Sequence, residues 1–175
     1  MIAPFDRARI ESIVHAIGER LEGEWLVIGG AAVALWLEPR RLTEDVDVVP
    51  MTDTGSERLA LMELADDLGL PIESVNSAAD FFVRRIDGWR RELEVLHRGS
   101  RATVYRPNAT LMVLLKMRRL SERDLEDCRL VLAAEPVDAG RVRAALAALP
   151  DADDAALGAR REELGRLLGA AGEVR

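Results

Sequence analysis

The sequence predicts an α+β fold, with a mixed β-sheet in the front part of the chain and helices behind it. Up to about residue 105, short β-like runs bounded by glycine or proline alternate with amphipathic helical stretches. From residue 108 onward the apolar spacing is helical. With 175 residues, 49% of them hydrophobic, the chain is long enough for one compact domain with a real core. These three observations favour a sheet with packed helices, followed by a helical C-terminal part.

The predicted elements follow in order along the chain. Pro4 begins a helix with apolar residues at helical spacing, and Gly23 ends it. The pair Gly29-Gly30 turns the first strand into a short helix. Asp87-Gly88 is a hairpin signal between two later β-like runs. The predicted strands are 24–28, 45–49, 81–86, 92–96 and 102–105, and the later predicted helices are 31–37, 56–68, 108–120, 121–134, 138–148 and 153–169.

Composition excludes several classes of protein. Charged residues make up 31% of the chain, which is typical of a soluble globular protein. The longest apolar run, LVIGGAAVALWL, is far shorter than a membrane span, so we expect no membrane partner. The single cysteine, Cys128, rules out an internal disulfide and favours a reducing, cytoplasmic location. We expect His15 to be packed among isoleucines, and nothing in the sequence requires a role for His97.

The charge of the chain is unevenly distributed. The net charge is −7, but residues 84–129 hold 12 basic and 7 acidic side chains, a local balance of +5. Such a segment attracts a polyanion such as RNA, or its arginines balance acids that lie nearby in the fold. The sequence leaves both interpretations open.

Two acids on a predicted strand indicate a candidate metal-binding site. Asp45 and Asp47 are two residues apart, so they project from the same face of a strand. Paired carboxylates repel each other unless a cation lies between them, and Mg²⁺ prefers this kind of ligand. The turn at Gly29-Gly30 allows a phosphate to approach the backbone at a helix N-terminus. The alternatives are an exposed edge strand for the acids and a simple turn for the glycines.

The ordered set of a glycine pair, a short helix and the motif R-x-T-x-D-x-D resembles the DNA polymerase β-type nucleotidyltransferase superfamily. Within it, the sequence is most similar to bacterial nucleotidyltransferases related to abortive-infection toxins. The resemblance covers about residues 24–130 and implies a nucleotidyltransferase-type mixed sheet flanked by helices. We therefore predict a nucleotidyltransferase-like domain at 1–134 and, at 135–175, a C-terminal helical extension of the same unit.

The resemblance also implies the site residues. It assigns triphosphate binding to Gly29, Gly30, Arg41 and Thr43. It assigns both catalytic metal ions, expected to be Mg²⁺, to Asp45 and Asp47 with Glu94 as the third acid, and Glu92 is the next candidate. The sequence departs from the family in two places, since many members have serine where Gly30 stands and the third acid is more often aspartate.

The stretch LLKMRRLSERDLEDCRLVL also resembles the family. Lys116 is the only lysine among 24 basic residues, and the resemblance implies that it contacts the triphosphate while Asp124 or Asp127 orients it. The alternatives are a lysine retained by chance on a solvated helix face and acids paired with arginines such as Arg119 or Arg123.

Together these features predict an Mg²⁺-dependent enzyme that moves a nucleoside monophosphate from a nucleoside triphosphate to an acceptor hydroxyl. The acceptor is RNA such as tRNA, a protein or a small molecule, and the resemblance suggests a toxin with a cognate antitoxin protein. Two alternatives remain: a non-catalytic binding module with the same fold, and an antibiotic-modifying nucleotidyltransferase.

Overall fold

The computed structural model describes residues 4–52, 55–77 and 80–173. The chain forms two compact units, Met1–Pro107 and Asn108–Arg175. The first unit contains the sheet and the second is helical, which confirms the predicted α+β class. The predicted sequence division into 1–134 and 135–175 stays a prediction.

The first unit alternates helices and strands. Asp6 caps the first helix, because its side-chain oxygen accepts a hydrogen bond from the backbone N–H of Arg9 at 2.9 Å. Two short 3₁₀ turns, Ile72–Ser74 and Trp89–Glu92, each lead directly into a strand. The helices are α1 Arg7–Arg20, α2 Gly29–Trp36, α3 Glu57–Asp67 and α4 Asp80–Arg84, and the strands are β1 Gly23–Val27, β2 Val46–Pro50, β3 Val75–Asn76, β4 Leu93–Arg98 and β5 Ala102–Pro107.

Within the described residues the sheet has five strands in the order β3-β2-β1-β5-β4. β1 is central: it pairs antiparallel with β2 and parallel with β5. β3 adds parallel to β2 at one edge, and β4 and β5 form an antiparallel hairpin at the other. Trp25, Leu26 and Val27 are all buried. A continuous apolar run is expected for a strand covered on both faces.

The predicted strand at 81–86 is wrong, because the structure has helix α4 there. Asp80 and Arg84 are one helical turn apart, and their side chains form an ion pair at 2.5 Å that supports a helical turn. Only Val83 of this segment is buried, while Phe81 and Phe82 are about half exposed. β propensity reflects packing on a sheet more than backbone preference, and within the described residues this segment does not pair as a strand of the sheet. Asp87-Gly88 accordingly precedes a 3₁₀ turn, with Gly88 at φ +74°, rather than joining two strands.

The second unit consists of helices at the predicted places. Side chains of Asn108, Ser121 and Asp138 cap the starts of three of them, each accepting from a backbone N–H three residues on. Leu111, Val131, Val142, Leu164 and Leu168 are fully buried and form its core. The helices are α5 Ala109–Lys116, α6 Glu122–Ala134, α7 Ala139–Ala147 and α8 Ala155–Glu173. In the described part of the chain, none of the helices is both long enough and apolar enough to cross a membrane.

Candidate active site

The glycine turn packs directly against the motif R-x-T-x-D-x-D. A Cβ atom added to Gly29 would lie 3.0 Å from Oδ2 of Asp47. A Cβ atom added to Gly30 would lie 2.8 Å from Oγ1 of Thr43 and 3.7 Å from Nε of Arg41. The two segments therefore meet at one point, and glycine is required there because a larger side chain would fill the space.

Backbone hydrogen bonds hold this junction in place. The N–H of Ile28 donates to the carbonyl of Asp47 at 3.0 Å, at the point where β1 ends and α2 begins. Phe5 and Thr43 form an isolated bridge, with hydrogen bonds of 2.7 and 3.1 Å in the two directions. Ile28 is the N-cap of α2 and has no side-chain acceptor, so it does not cap the first turn. The N-terminus of α2 therefore keeps the positive dipole end that favours a bound anion.

A cleft of about 640 Å³ opens beside this junction. Asp45 is exposed and Asp47 is half-buried, and both line the cleft. The remaining lining residues are Arg58, Leu61, Met62, Ile72, Glu73, Val75, Asn76 and Ser77. The volume is within the usual range for a small-molecule site. The prediction that both aspartates face one site is thus compatible with their positions.

Glu73 and Asn76 are cleft residues that the sequence analysis missed. Asn76 is the register partner of Asp47 across the parallel β2–β3 pair, and paired residues share a face of the sheet. Its side-chain amide donates to the carbonyl of Glu73 at 3.2 Å. β3 has only two residues, too few to show the alternation that identifies a strand. No sequence signal therefore indicated which side chains lie next to Asp47.

The donor set of the cleft suits a hard divalent cation. Carboxylates from Asp45, Asp47 and Glu73 and the amide of Asn76 offer only oxygen as a metal ligand. Oxygen ligands select Mg²⁺, Ca²⁺ or Mn²⁺ over metals that prefer nitrogen or sulfur. By ligand type, these residues match the Mg²⁺ that the sequence predicts.

Comparison with known proteins identifies the family. A family model described as "Nucleotidyltransferase of unknown function (DUF6036)" matches residues 8–160, most of the chain. The chain belongs to this nucleotidyltransferase family. The crystal structure of an antigenic nucleotidyltransferase-like protein from Paracoccidioides brasiliensis is similar in fold, with a TM-score of 0.58 and 17% sequence identity. That similarity covers 96% of this chain and 95% of the other. No curated protein matches the sequence significantly. The toxin-like subgroup stays a prediction.

The structure does not bring Glu94 to the cleft that contains Asp45 and Asp47. In the sheet order, β1 and β5 lie between β2 and β4. The register runs from Val95 through Tyr105 and Leu26 to Val49, so these four side chains share a face. Glu94 and Val48 each precede a member of this row, so both project from the other face. Asp47 precedes Val48 along β2 and projects from the opposite face. The alternation in ELEVLH correctly predicted a strand, but it carried no information about that strand's neighbours.

Glu94 has a different partner. Its carboxylate accepts a hydrogen bond from Arg106 at 2.5 Å, and the Arg106 guanidinium lies 3.9 Å from the centre of the Trp36 ring. Arg106 is on β5 and Trp36 is the last residue of α2, so the contact between them attaches this helix to the sheet.

Replacing Glu94 with glutamine is therefore expected to leave Mg²⁺-nucleotide affinity and transfer rate within about twofold of wild type. The carboxylate is 46% exposed, and an exposed ion pair contributes about 1 kcal/mol or less to stability. Measuring both nucleotide affinity and transfer rate checks this. A tenfold or larger loss of transfer with unchanged affinity would return Glu94 to the catalytic role that the family resemblance implies.

Lys116 lies within the second unit and has two acidic partners there. Its ammonium is 3.0 Å from Oδ1 of Asp124 and 2.8 Å from Oδ2 of Asp127. The side chains of Lys116, Asp124 and Asp127 are 9%, 2% and 0% exposed. The lysine is therefore buried, and two carboxylates balance its charge.

Asp124 connects this cluster to the start of α6. It accepts hydrogen bonds from Arg119 and from the hydroxyl and backbone N–H of Ser121, which completes a capping box. Burial alone would raise the pKa of the Asp124 carboxyl. The hydrogen bonds from Arg119 and Ser121 and the nearby ammonium of Lys116 outweigh burial and hold that pKa well below its usual range. The carboxylate stays charged, and the cluster is a buried ionic network.

Replacing Gly30 with alanine tests the packing of the glycine turn. The added Cβ would overlap the hydroxyl of Thr43. Thr43 is buried and its backbone is hydrogen-bonded to that of Phe5, so the turn must shift instead. Overpacking of this kind costs about 1–3 kcal/mol and should also weaken nucleotide binding.

Gly165→Ala is the matched control, since a Cβ at that position in α8 meets nothing within 4 Å. In a helix interior this change should stabilise the protein by about 0.5–1 kcal/mol. Urea unfolding of both variants checks the comparison. A Gly30→Ala variant as stable as wild type would mean that the turn is not tightly packed.

Proposed function

We propose that this protein is an Mg²⁺-dependent nucleotidyltransferase that moves a nucleoside monophosphate from a nucleoside triphosphate to an acceptor hydroxyl. The observation that carries the proposal is the convergence of the Gly29-Gly30 turn with Thr43 and Asp47 beside a cleft lined by Asp45 and Asp47. This chemistry needs an anion site and a cation site within a few ångströms of each other, and the proximity of a helix N-terminus to two carboxylates supports both roles. Membership of the nucleotidyltransferase family supports the same reaction class.

Each residue of the junction has a role in this proposal. The N–H groups at the start of α2 would face the triphosphate, and Arg41 and Thr43, on the segment that carries the acids, lie beside Gly30 of the turn. Asp45 and Asp47 would hold Mg²⁺, with Glu73 and Asn76 beside them. When bound, Mg²⁺ would neutralise the charge that develops on the transferred phosphoryl group and on the leaving pyrophosphate. Arg58 adds a positive charge to the wall of the cleft.

The acceptor is the part of the proposal that the fold constrains least. We propose an RNA hydroxyl, such as the 3′ end of tRNA, in a toxin that pairs with an antitoxin protein. The support is the likeness of the motif to abortive-infection toxins. The positive balance of residues 84–129 adds little, because many of its arginines have acidic partners. Arg84 pairs with Asp80, Arg101 with Glu22, Arg106 with Glu94, Arg119 with Asp124 and Arg129 with Glu163.

A transfer assay tests the proposal. The protein is incubated with each labelled nucleoside triphosphate in turn, with Mg²⁺ and total RNA, and label is followed into RNA, protein and small molecules. We expect transfer of one preferred nucleotide, with loss of transfer when Mg²⁺ is chelated. Label in a small molecule instead of RNA would support the antibiotic-modifying alternative. Nucleotide binding without transfer would indicate a binding module, and neither binding nor transfer would contradict the proposal.

A further inference from the structure

The two histidines of the chain meet on one side of the sheet. His15 is on α1 and His97 is on β4, and their ring centres are 5.2 Å apart. Glu19 lies one helical turn after His15, on the same face of α1. Ligand atoms of the three side chains all lie within 4.8 Å of one another. Residues that are 82 positions apart in sequence thus form one compact cluster of two imidazoles and a carboxylate.

Two glycines allow this close approach. A Cβ atom on Gly18 would lie 2.5 Å from Cδ2 and 2.8 Å from Nε2 of His97. A Cβ atom on Gly99 would overlap the backbone of Gly18. The N–H of Arg101 also donates to the carbonyl of Gly18 at 3.0 Å. The end of β4 therefore packs on the backbone of α1, and this packing positions the His97 ring beside Glu19.

The ligand atoms are oriented toward one another. Nε2 of His97 is buried, makes no hydrogen bond within the described residues, and lies 3.9 Å from Oε1 of Glu19. The Glu19 carboxylate accepts hydrogen bonds from the hydroxyl of Ser100 at 2.6 Å and from its backbone N–H at 3.2 Å. These two hydrogen bonds lower the pKa of the Glu19 carboxyl. A charged, oriented carboxylate next to an imidazole nitrogen that makes no hydrogen bond to the described residues is the arrangement expected around a metal ion.

We propose that His15, Glu19 and His97 form a binding site for a transition-metal ion of the Zn²⁺ class, separate from the Mg²⁺ cleft. Two imidazoles and one carboxylate are a common ligand set for Zn²⁺ and for non-haem iron, and at a tetrahedral Zn²⁺ ion they leave one position open for water. Mg²⁺ selects oxygen ligands and is a poor match. None of the three residues lines the cleft that contains Asp45 and Asp47. A bound ion would link α1 to the edge strand β4.

Zinc titration of protein prepared without a histidine tag and stripped of metal tests this site. Competition with a chromophoric chelator gives stoichiometry and affinity, and Co²⁺ substitution reports imidazole ligation by its visible absorption. We expect one Zn²⁺ per chain and a rise in the melting temperature of the wild-type protein when Zn²⁺ is added. Millimolar Mg²⁺ should not compete.

Variants separate ligation from folding. His15 is exposed, so His15→Gln should fold normally and yet lose at least tenfold in Zn²⁺ affinity, together with the Zn²⁺-dependent rise in melting temperature. Ser100→Ala removes a hydrogen bond to the ligand Glu19 and should cost about tenfold. The Asp45→Asn/Asp47→Asn double variant should keep the full zinc stoichiometry. The proposal is overturned if wild type binds no Zn²⁺, if His15→Gln binds it as tightly as wild type, or if the double aspartate variant loses it.

Discussion

Replacing Lys116 with methionine is expected to destabilise the protein by about 3–5 kcal/mol. Methionine has a similar length but no charge, so the carboxylates of Asp124 and Asp127 would lose the ammonium that lies between them. Both carboxylates are buried, and removing the cation of a buried ion pair costs several kcal/mol, although Asp124 keeps its hydrogen bonds from Arg119 and Ser121. Urea unfolding followed by circular dichroism measures the loss.

Arg119→Ala is the matched control for this prediction. Arg119 also binds Asp124, at 2.8 Å, but its side chain is 78% exposed, so its removal should cost about 1 kcal/mol or less. If Lys116→Met unfolds within about 0.5 kcal/mol of wild type, the ionic network is not structural. A variant that folds normally and fails only in nucleotide binding would instead support the triphosphate contact implied by the family resemblance.

Replacing both Asp45 and Asp47 with asparagine is expected to remove Mg²⁺-dependent nucleotide binding while the fold remains intact. A charge-assisted contact contributes about 1.5–3 kcal/mol, so losing two should weaken binding by at least about a hundredfold. Neither side chain belongs to the core, and removing like charges on one face relieves repulsion. Stability should therefore be equal to that of wild type or slightly higher.

The matched control is Asp66→Asn/Asp67→Asn at the end of α3. These two acids are exposed and do not line the cleft, yet the change in net charge is the same. Equal weakening by both double variants would mean that overall charge, and not a metal site, governs nucleotide binding.

The sequence predicted those parts of the fold that burial determines. Strands such as β1 and helices such as α6 bury a regular set of apolar residues, so periodicity located them. The error at 81–86 arose because Phe81 and Phe82 have high β propensity, although both are about half exposed and the described segment does not pair as a strand of the sheet. Sheet order was not predictable, because long-range pairing determines it.

For the candidate site, too, the sequence indicated the residues that are close together along the chain and not those that long-range pairing brings in. The glycine turn and the acids at Asp45 and Asp47 are close in sequence and carry a family motif, so their association could be inferred. Asn76 was missed because only its pairing with Asp47 gives it a position beside the site. The sequence singled out the lone lysine as a triphosphate contact, and that role stays a prediction. Its burial depends on Asp124 and Asp127 of the next helix, whose inward orientation a sequence pattern does not reveal.

Titration of a nucleoside triphosphate into the protein, with and without Mg²⁺, tests the central claim most directly. It is done by calorimetry for the wild type, for Asp45→Asn/Asp47→Asn and for Asp66→Asn/Asp67→Asn. We predict saturable binding that requires Mg²⁺ in the wild type and in the Asp66/Asp67 control, and a loss of at least about a hundredfold in the Asp45/Asp47 variant. Binding by the Asp45/Asp47 variant as tight as that of wild type would contradict the assignment of the cleft as the nucleotide and metal site.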